Sequence, residues 1–256
     1  MADENIPRRG QSQQINLNQV AQKFMTGLQR HFDLLAFNLA AHDAVREQEY
    51  DNHVNAPKIM PLASHHQNFE QLQAYARDLL IRQVVNDSLT LSLAAMNNAH
   101  FFLSLIRVTD ANKQVDPEAQ KKAHTIHQEF IRAKINEKFN RLEKDYDIMC
   151  ELEDSIISLG LVLQILVKQN KAVKKGQLDN RGKLVLELRS IKAIEESGLT
   201  IPEPNKLKDV RKIYREGDLV SFDDLELQLI LVTIASFAES LFKSVSTYAR
   251  SIQKNT

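Results

Sequence analysis

The sequence predicts an all-α fold, a bundle of five to six helices within one domain. Apolar residues recur at spacings of three and four along most of the chain, which is the period of an amphipathic helix. Seven Gly and six Pro among 256 residues predict few turns, and with 6% aromatic residues and no Trp the core must be mostly Leu, Ile, Val and Ala. We therefore expect a single helical domain at residues 15–256, preceded by a disordered polar tail at residues 1–14.

The first two helices are predicted on either side of a proline-containing break. Residues 16–50 place one apolar stripe on a helix. The stripe comprises Val20, Phe24, Leu28, Phe32, Leu35 and Leu39. Pro57 and Pro61 interrupt this pattern, and a second helix is predicted over residues 65–108. Its second half is apolar on most sides, so we expect it at the centre of the bundle.

Two further helices follow in the middle of the chain. Asp116 can cap a helix, Pro117 suits the first helical position, and Glu118 complements the positive helix end. A third helix is therefore predicted from this point to about residue 145, and a very apolar fourth helix over residues 151–170.

The next segment is predicted to be a shorter helix followed by a long loop. The helix is expected over residues 178–197, with Gly198 supplying a left-handed cap. Two prolines and one glycine then indicate a surface loop over residues 199–222, with short extended pieces at residues 214–220.

The last helix is predicted from an apolar stripe that continues almost to the chain end. Ser221 and Asp224 have the spacing of a capping box at its start. The stripe steps by three or four residues through Leu227, Ile230, Ile234, Phe237, Leu241, Val245 and Tyr248. This pattern favours a long helix with one face buried.

Charge is balanced overall but unevenly distributed. Lys plus Arg and Asp plus Glu each number 33, whereas residues 168–215 carry thirteen basic and six acidic side chains. A basic surface can hold a phosphate backbone, although an ordinary solvated face has the same composition. The candidate RNA-binding or anion-binding residues are Lys174, Lys175, Arg189, Lys192, Lys208, Arg211 and Lys212.

Cysteine and hydropathy patterns predict a cytoplasmic protein without membrane contact. Cys150 is the only cysteine, so an internal disulfide is excluded and a thiolate zinc cage is not expected. The N-terminal residues lack the apolar core of a signal peptide. The longest apolar run, residues 156–167, is shorter than the roughly 20 residues that span a bilayer. We expect no cofactor.

The histidines do not predict a metal site. His124 and His127 lie three positions apart on the predicted third helix, but a zinc site needs three or four ligands. Surface positions are therefore expected for both. His100 lies in the apolar half of the second helix, where we expect a buried ring with a satisfied hydrogen bond.

One pattern in the C-terminal third resembles a known family. Leu188-Arg189-Ser190-Ile191 leads into residues 192–198, and a Gly217-Asp218 turn with an apolar step then precedes the final helix. This order is similar to the HEPN superfamily, all-helical domains found in many prokaryotic toxin and phage-defence ribonucleases, over about residues 184–248. The family motif is Arg-Asn-x-x-x-His.

The three chemical positions of that motif differ in this chain. On the family register, Lys192 takes the arginine position, Ala193 the polar position and Ser197 the histidine position. Lysine can still contact phosphate as a point charge, but serine cannot exchange protons near neutral pH as histidine does. The resemblance therefore implies a non-catalytic, dimeric member with no catalytic residues.

Three functional hypotheses follow. The preferred one is a non-catalytic interaction module, a homodimer that binds RNA or a protein partner in a prokaryotic defence or toxin-antitoxin-like system. The second is a metal-independent ribonuclease with a non-standard site, for instance Arg189, Lys192 and Ser197 together with a histidine from elsewhere in the dimer. The third is a purely structural helical scaffold.

Overall fold

The computed structural model describes residues 16–53, 68–108, 117–168, 170–196 and 199–254. Within these ranges the chain forms seven α-helices and one antiparallel two-stranded sheet. In chain order the elements are α1 (Leu17–Ala44), α2 (Glu47–His53), α3 (Phe69–Val108), α4 (Pro117–Arg132), α5 (Ile135–Tyr146), α6 (Glu153–Leu166), β1 (Leu184–Glu196), β2 (Leu199–Tyr214) and α7 (Asp224–Lys254). The predominantly helical class is confirmed, with a β-hairpin that was not predicted. The predicted tail at residues 1–14 lies outside the described residues.

The first helix carries the predicted apolar stripe on its buried face. Phe24, Leu28, Leu35 and Leu39 are all buried. The Asn16 side chain begins α1 by accepting a hydrogen bond from the Asn18 N–H at 3.0 Å. The predicted end near residue 50 is wrong, because the chain turns to an extended conformation directly after Ala44 and the next residues form α2.

Helices α3 and α7 contact each other and contribute many residues to the core. Small side chains on α3 are fully buried, among them Ser88, Ser92, Ala95 and Ala99. Helix α1 packs against both α3 and α7. By length and composition alone, α3 and α7 could each cross a membrane, a test that buried core helices also pass. The predicted central position of α3 is confirmed by its buried residues.

The predicted third helix is two helices, α4 and α5, separated by a short break. Ala133 and Lys134 leave the helical path, with Lys134 in an extended conformation at the start of α5. The Lys134 N–H donates to the Glu137 carboxylate at 3.3 Å, which stabilises the new helix start. Neither Gly nor Pro marks this break, so local sequence could not reveal it. Helix α6 ends at Leu166, four residues before the predicted end.

The predicted helix at residues 178–197 is wrong, and most of the predicted loop at residues 199–222 is also a strand. Leu184, Leu186 and Leu188 alternate on one face of β1 and are buried where β1 contacts α6 and α7. Leu184, Leu188 and Ile191 also have the spacing of a helix, so the sequence of this segment is compatible with both a strand and a helix. Packing against the neighbouring helices stabilises the strand. The predicted cap Gly198 lies outside the described residues.

A register shift divides the hairpin into a base and a tip. In the base, residues 184–191 of β1 pair with residues 207–214 of β2. Lys192 then pairs with Glu203, so residues 204–206 are extra in β2 at this point. Pro204 has no N–H to donate, which suits an irregular position in a strand.

The chain returns from the hairpin to α7 through a turn. Gly217 has φ of +87°, a conformation that favours glycine, and Leu219 forms an isolated bridge with Ala172. Helix α7 begins with a capping box in which the Glu226 N–H donates to Asp223 at 2.7 Å and the Asp223 N–H donates to Glu226 at 2.9 Å. The predicted box at Ser221 and Asp224 is therefore wrong by two residues.

Candidate functional site

Two of the three degenerate motif positions lie in β1 beyond the register shift. Lys192 and Ala193 lie in β1, and their side chains are outside the described part of the structure, as is Ser197 entirely. The structure therefore does not bring a described catalytic group to this motif. It does place the motif beside the hairpin base, where several of the basic candidates are described.

Three of the basic candidates are paired with carboxylates of this chain. Arg211 Nε lies 2.5 Å from a Glu187 oxygen, and Arg189 Nε lies 2.9 Å from an Asp209 oxygen. Lys212 pairs with Glu226 at the start of α7. Their charges are therefore largely balanced within the fold.

The remaining described candidates are separate and exposed. Lys174 and Lys175 lie in the segment between α6 and β1, and Lys208 lies on β2. No ion pair is seen for these three lysines among the described residues. Among the six predicted anion-binding residues whose side chains are described, three are therefore neutralised by carboxylates and three are exposed without a seen ion pair.

The base of the hairpin has an inner and an outer face. Its inner face buries Leu186 and Leu188 completely or almost completely, with 0% and 1% of their surface exposed. On the outer face, Ile191, Leu207 and Ile213 are 40% to 49% exposed. These three are the aliphatic side chains that the outer face exposes to solvent among the residues described.

Specific polar contacts fix the inner face to the helical body. The Arg189 backbone N–H donates to Thr233 Oγ1 on α7 at 2.8 Å, and Thr233 in turn donates to the Leu229 carbonyl at 2.7 Å. The Tyr214 hydroxyl donates to the Ser221 carbonyl at 3.1 Å, and burial raises the pKa of Tyr214 above its ordinary value. These bonds join the hairpin base to α7 at Thr233 and to the segment before α7 at Ser221.

A second group of chemically capable residues is buried between α3, α4 and α5. His100 Nδ1 and His127 Nδ1 lie 3.3 Å apart, and the His100 ring stacks on Phe130 with ring centres 3.8 Å apart. Burial, and then the neighbouring charges of His127, Lys138 and Arg141, lower the pKa of His100 from 6.5 to about 3. The pair is therefore neutral at physiological pH, with one ring donating to the other.

The predictions for the histidines are confirmed in part. His100 is buried as expected, but its Nε2 has no hydrogen-bond partner among the described residues. The predicted surface position of His127 is wrong, since only 9% of it is exposed, whereas His124 is exposed as predicted. The described residues contain no group of three or more potential metal ligands.

Lys138 completes this buried cluster, and sequence reasoning missed it. Only 2% of Lys138 is exposed, and its ammonium donates to Asn97 Oδ1 at 2.9 Å, to the Ile131 carbonyl at 3.1 Å and to the Phe130 carbonyl. Burial, with a smaller contribution from Arg141, lowers the pKa of Lys138 from 10.5 to about 8. The two carbonyls belong to the last turn of α4, so Lys138 caps that helix from the neighbouring α5.

The buried cluster is closed to a substrate. His100 and Tyr146 are 0% and 2% exposed, so no external molecule can contact them without opening the bundle. A separate shallow cleft between α1 and α3, lined by His31 and Asp87 among others, has a volume of about 280 Å³ including space open to solvent. Because this volume includes open solvent, the cleft does not enclose a substrate.

The pattern that resembles the HEPN family lies on the hairpin and α7. Residues of the expected motif helix are in β1, while the expected Gly-Asp turn and apolar step correspond to the turn at Gly217 and the bridge at Leu219. The family relationship stays a prediction that rests on the sequence pattern. The chain matches no family model, no curated protein and no solved structure.

Proposed function

We propose that this chain is a non-catalytic interaction module that associates with a second copy of itself through the β-hairpin. The observation that carries this proposal is the hairpin itself. Its strands have 13 and 16 residues, which corresponds to a ribbon longer than roughly 40 Å at about 3.3 Å per residue. A two-stranded ribbon is marginally stable on its own, and it presents unpaired strand edges.

The helical body supports only part of this ribbon. It covers the inner face of the hairpin base, where Leu186 and Leu188 are buried, and leaves the outer face open, where Ile191 is 41% exposed. On β2, Leu207 is 40% exposed opposite Ile191. An additional surface that covers the outer aliphatic residues would stabilise the hairpin, and this is the reason for expecting a protein partner.

The alternatives have weaker support. A ribonuclease needs an accessible proton donor and acceptor near the phosphate. His100 and His127 are enclosed in the bundle. The exposed His124 lies on α4 and not on the hairpin that carries Arg189. RNA binding needs cations that are free to contact phosphates. Arg189, Arg211 and Lys212 are paired with carboxylates, which leaves three exposed lysines among the described candidates. A protein surface is the better match to the outer face of the hairpin. The link to phage defence or toxin-antitoxin systems stays a prediction from the family resemblance.

Mass measurement over a range of concentrations tests the proposal. Light scattering from about 5 to 200 μM, a range chosen for weak interfaces, is expected to show a mass that rises from the monomer value of 29.3 kDa toward twice that value. A constant monomer mass over the whole range would refute self-association.

A parallel assay tests the nucleic-acid alternatives. Structured and unstructured RNA incubated with the protein are expected to remain intact and to be excluded from the protein fraction at physiological salt. Cleavage would refute the non-catalytic assignment. Retention that is lost in the variant Lys174→Glu, Lys175→Glu, Lys208→Glu would make RNA the ligand instead of a second copy.

A further inference from the structure

The outer face of the hairpin base has an ordered chemical pattern. Four cross-strand pairs occupy it: Val185 with Ile213, Glu187 with Arg211, Arg189 with Asp209, and Ile191 with Leu207. An aliphatic pair therefore lies at each end of the face, and two oppositely charged pairs lie between them. All eight side chains belong to the part of the hairpin that precedes the register shift.

This pattern is symmetric about an axis perpendicular to the sheet. Half a turn about that axis exchanges the two strands and reverses their direction. It places each residue on one of the same chemical class: Val185 on Leu207, Glu187 on Asp209, Arg189 on Arg211, and Ile191 on Ile213. The four charged residues form the corners of a square at the centre of the face. The two acids lie on one diagonal of this square, and the two arginines lie on the other.

Such a square is complementary to a copy of itself. If a second copy is related by a two-fold axis in the plane of the sheet and parallel to the strands, Glu187 faces Arg211 of the copy and Arg189 faces Asp209 of the copy. If the in-plane axis is perpendicular to the strands, Glu187 faces Arg189 of the copy. Either arrangement brings opposite charges together and places aliphatic residues on aliphatic residues.

We propose that the outer face of the hairpin base is the surface through which two copies of this chain associate, with alternating charges that make the face self-complementary. This inference rests on the proposed function, since it names the face used for self-association. The face carries two acids and two arginines, and the Glu151 carboxylate lies 3.9 Å from Arg189, so the face has no excess of positive charge to attract an RNA backbone. A second copy is the partner that matches both its charges and its aliphatic ends.

The exposure of the side chains and the size of the face determine how strongly two copies are expected to associate. On β2, Asp209 and Arg211 have 54% and 68% of their side chains exposed, and on β1, Glu187 and Arg189 have 34% and 25% exposed. The face measures roughly 20 Å along the strands and about 10 Å across them, from the standard strand rise and spacing. This is below the area of a standard stable interface, so the dimer is weak and depends on concentration.

Two charge variants test the face. In one, Glu187→Arg with Asp209→Arg makes all four central residues positive. In the other, Arg189→Glu with Arg211→Glu makes all four negative. Each variant alone faces a copy of like charge, and its self-association measured by sedimentation velocity is expected to weaken at least about tenfold. An equimolar mixture of the two is expected to associate again, because every facing pair is then of opposite charge.

A fourfold exchange supplies the matched control. The control variant combines four substitutions: Glu187→Arg, Arg189→Glu, Asp209→Arg and Arg211→Glu. It reverses each charge, but each cross-strand pair within the chain still joins an acid and an arginine. It is expected to associate with itself as the native chain does. Mixed with a fluorescently labelled native chain, it is expected not to form the mixed dimer, because every facing pair is then of like charge.

The outcomes separate this inference from the proposed function. A native chain that is monomeric throughout refutes both. A native chain that associates, together with all-positive and all-negative variants that associate equally well, refutes this face and leaves the self-associating module in place. Circular dichroism establishes that each variant is folded. If the all-positive and all-negative variants unfold, the fourfold variant still tests the face. Mixed dimers of the folded fourfold variant with the native chain would refute the proposal that this face is the interface.

Discussion

The hairpin base and the buried cluster use similar side chains in opposite environments. At the hairpin, Arg211 pairs with Glu187 at the surface, where water screens the charges, and the less exposed Arg189 pairs with Asp209 and Glu151. In the cluster, Lys138 is enclosed and its ammonium donates to two backbone carbonyls and to the Asn97 side chain, with no acid paired to it among the described residues. The buried ammonium and imidazoles therefore stabilise this fold, whereas the paired charges of the hairpin base are partly exposed.

The difference has a simple energetic basis. Removing an ammonium from water is unfavourable unless hydrogen bonds replace its hydration, so Lys138 needs each of its three acceptors. An exposed ion pair loses little when it is separated, because water solvates both partners. Substitutions in the cluster should therefore affect stability strongly, and substitutions on the outer face should affect mainly association.

The largest effect is expected for Lys138→Met. Methionine fills a similar volume but cannot donate hydrogen bonds, so the last-turn carbonyls of α4 lose their partner. Charge-assisted hydrogen bonds contribute roughly 1.5–3 kcal/mol each, part of which is offset by removing the buried charge, so we expect a loss of about 3 kcal/mol in the free energy of unfolding. Urea unfolding followed by circular dichroism measures this.

Lys144→Met is the matched control for that change. Lys144 lies on the same helix and is exposed, so its substitution should leave stability nearly unchanged. Equal stability of Lys138→Met and the native chain would show that the buried ammonium does not support α4.

Acidification is expected to have the next largest effect. Above pH 6.5 the His100 ring is neutral in the folded and unfolded states, and its pKa of about 3 in the fold then has no effect on stability. As the pH falls below 6.5, the unfolded chain binds a proton that folded His100 does not accept, so the free energy of unfolding decreases. At pH 5.0 this single group accounts for about 2 kcal/mol.

Substitution of the histidine isolates that contribution. Urea unfolding at pH 7.5 and pH 5.0 should show a smaller loss for His100→Phe than for the native chain, because phenylalanine does not titrate. His124→Gln, a change at an exposed position on α4, should lose as much as the native chain. If His100→Phe also loses as much as the native chain, the His100 ring does not account for the acid sensitivity.

These two predictions concern residues that the sequence only partly revealed. The burial of His100 could be predicted because its helix is apolar on most sides. Lys138 lies three residues after Ile135 and four residues before Leu142, so it shares their face of the helix. This spacing indicates an inward-facing polar residue, which counting the charges along the chain does not reveal. The contact between His100 and His127 could not be predicted, since it depends on how α3 and α4 pack together.

The hairpin shows a different limit of sequence reasoning. Helices α1, α3 and α7 follow from long runs with a single period, whereas β1 satisfies the periods of both a strand and a helix. The alternation of Leu184, Leu186 and Leu188 was the available signal for a strand. The ion pairs of the outer face depend on the strand register, which the resemblance to a helical family obscured.

A smaller loss of stability is expected where the hairpin base meets α7. Thr233→Val keeps the shape of a fully buried side chain but removes the hydroxyl that accepts the Arg189 N–H. A buried donor without a partner costs about 1–3 kcal/mol, and we expect a loss near the lower end because the strand can shift slightly. Thr247→Val, at an exposed position of α7, is the control and should be nearly neutral. An unchanged unfolding midpoint for Thr233→Val would indicate that the leucines alone hold β1.

The smallest effect on stability is expected for the exposed pair Glu187 and Arg211. A double-mutant cycle with Glu187→Gln and Arg211→Gln should give a coupling of about 0.5 kcal/mol, because both side chains are partly solvated and the pair lies across a two-stranded ribbon. The coupling should fall further in 1 M salt, where the screening length is about 3 Å. A coupling above about 2 kcal/mol would show that this pair behaves as a buried ion pair and not as an exposed one. A small coupling energy means that this pair contributes little to the stability of the fold. The charges of the face can then select a partner without determining how the chain folds, as the proposal for this face requires.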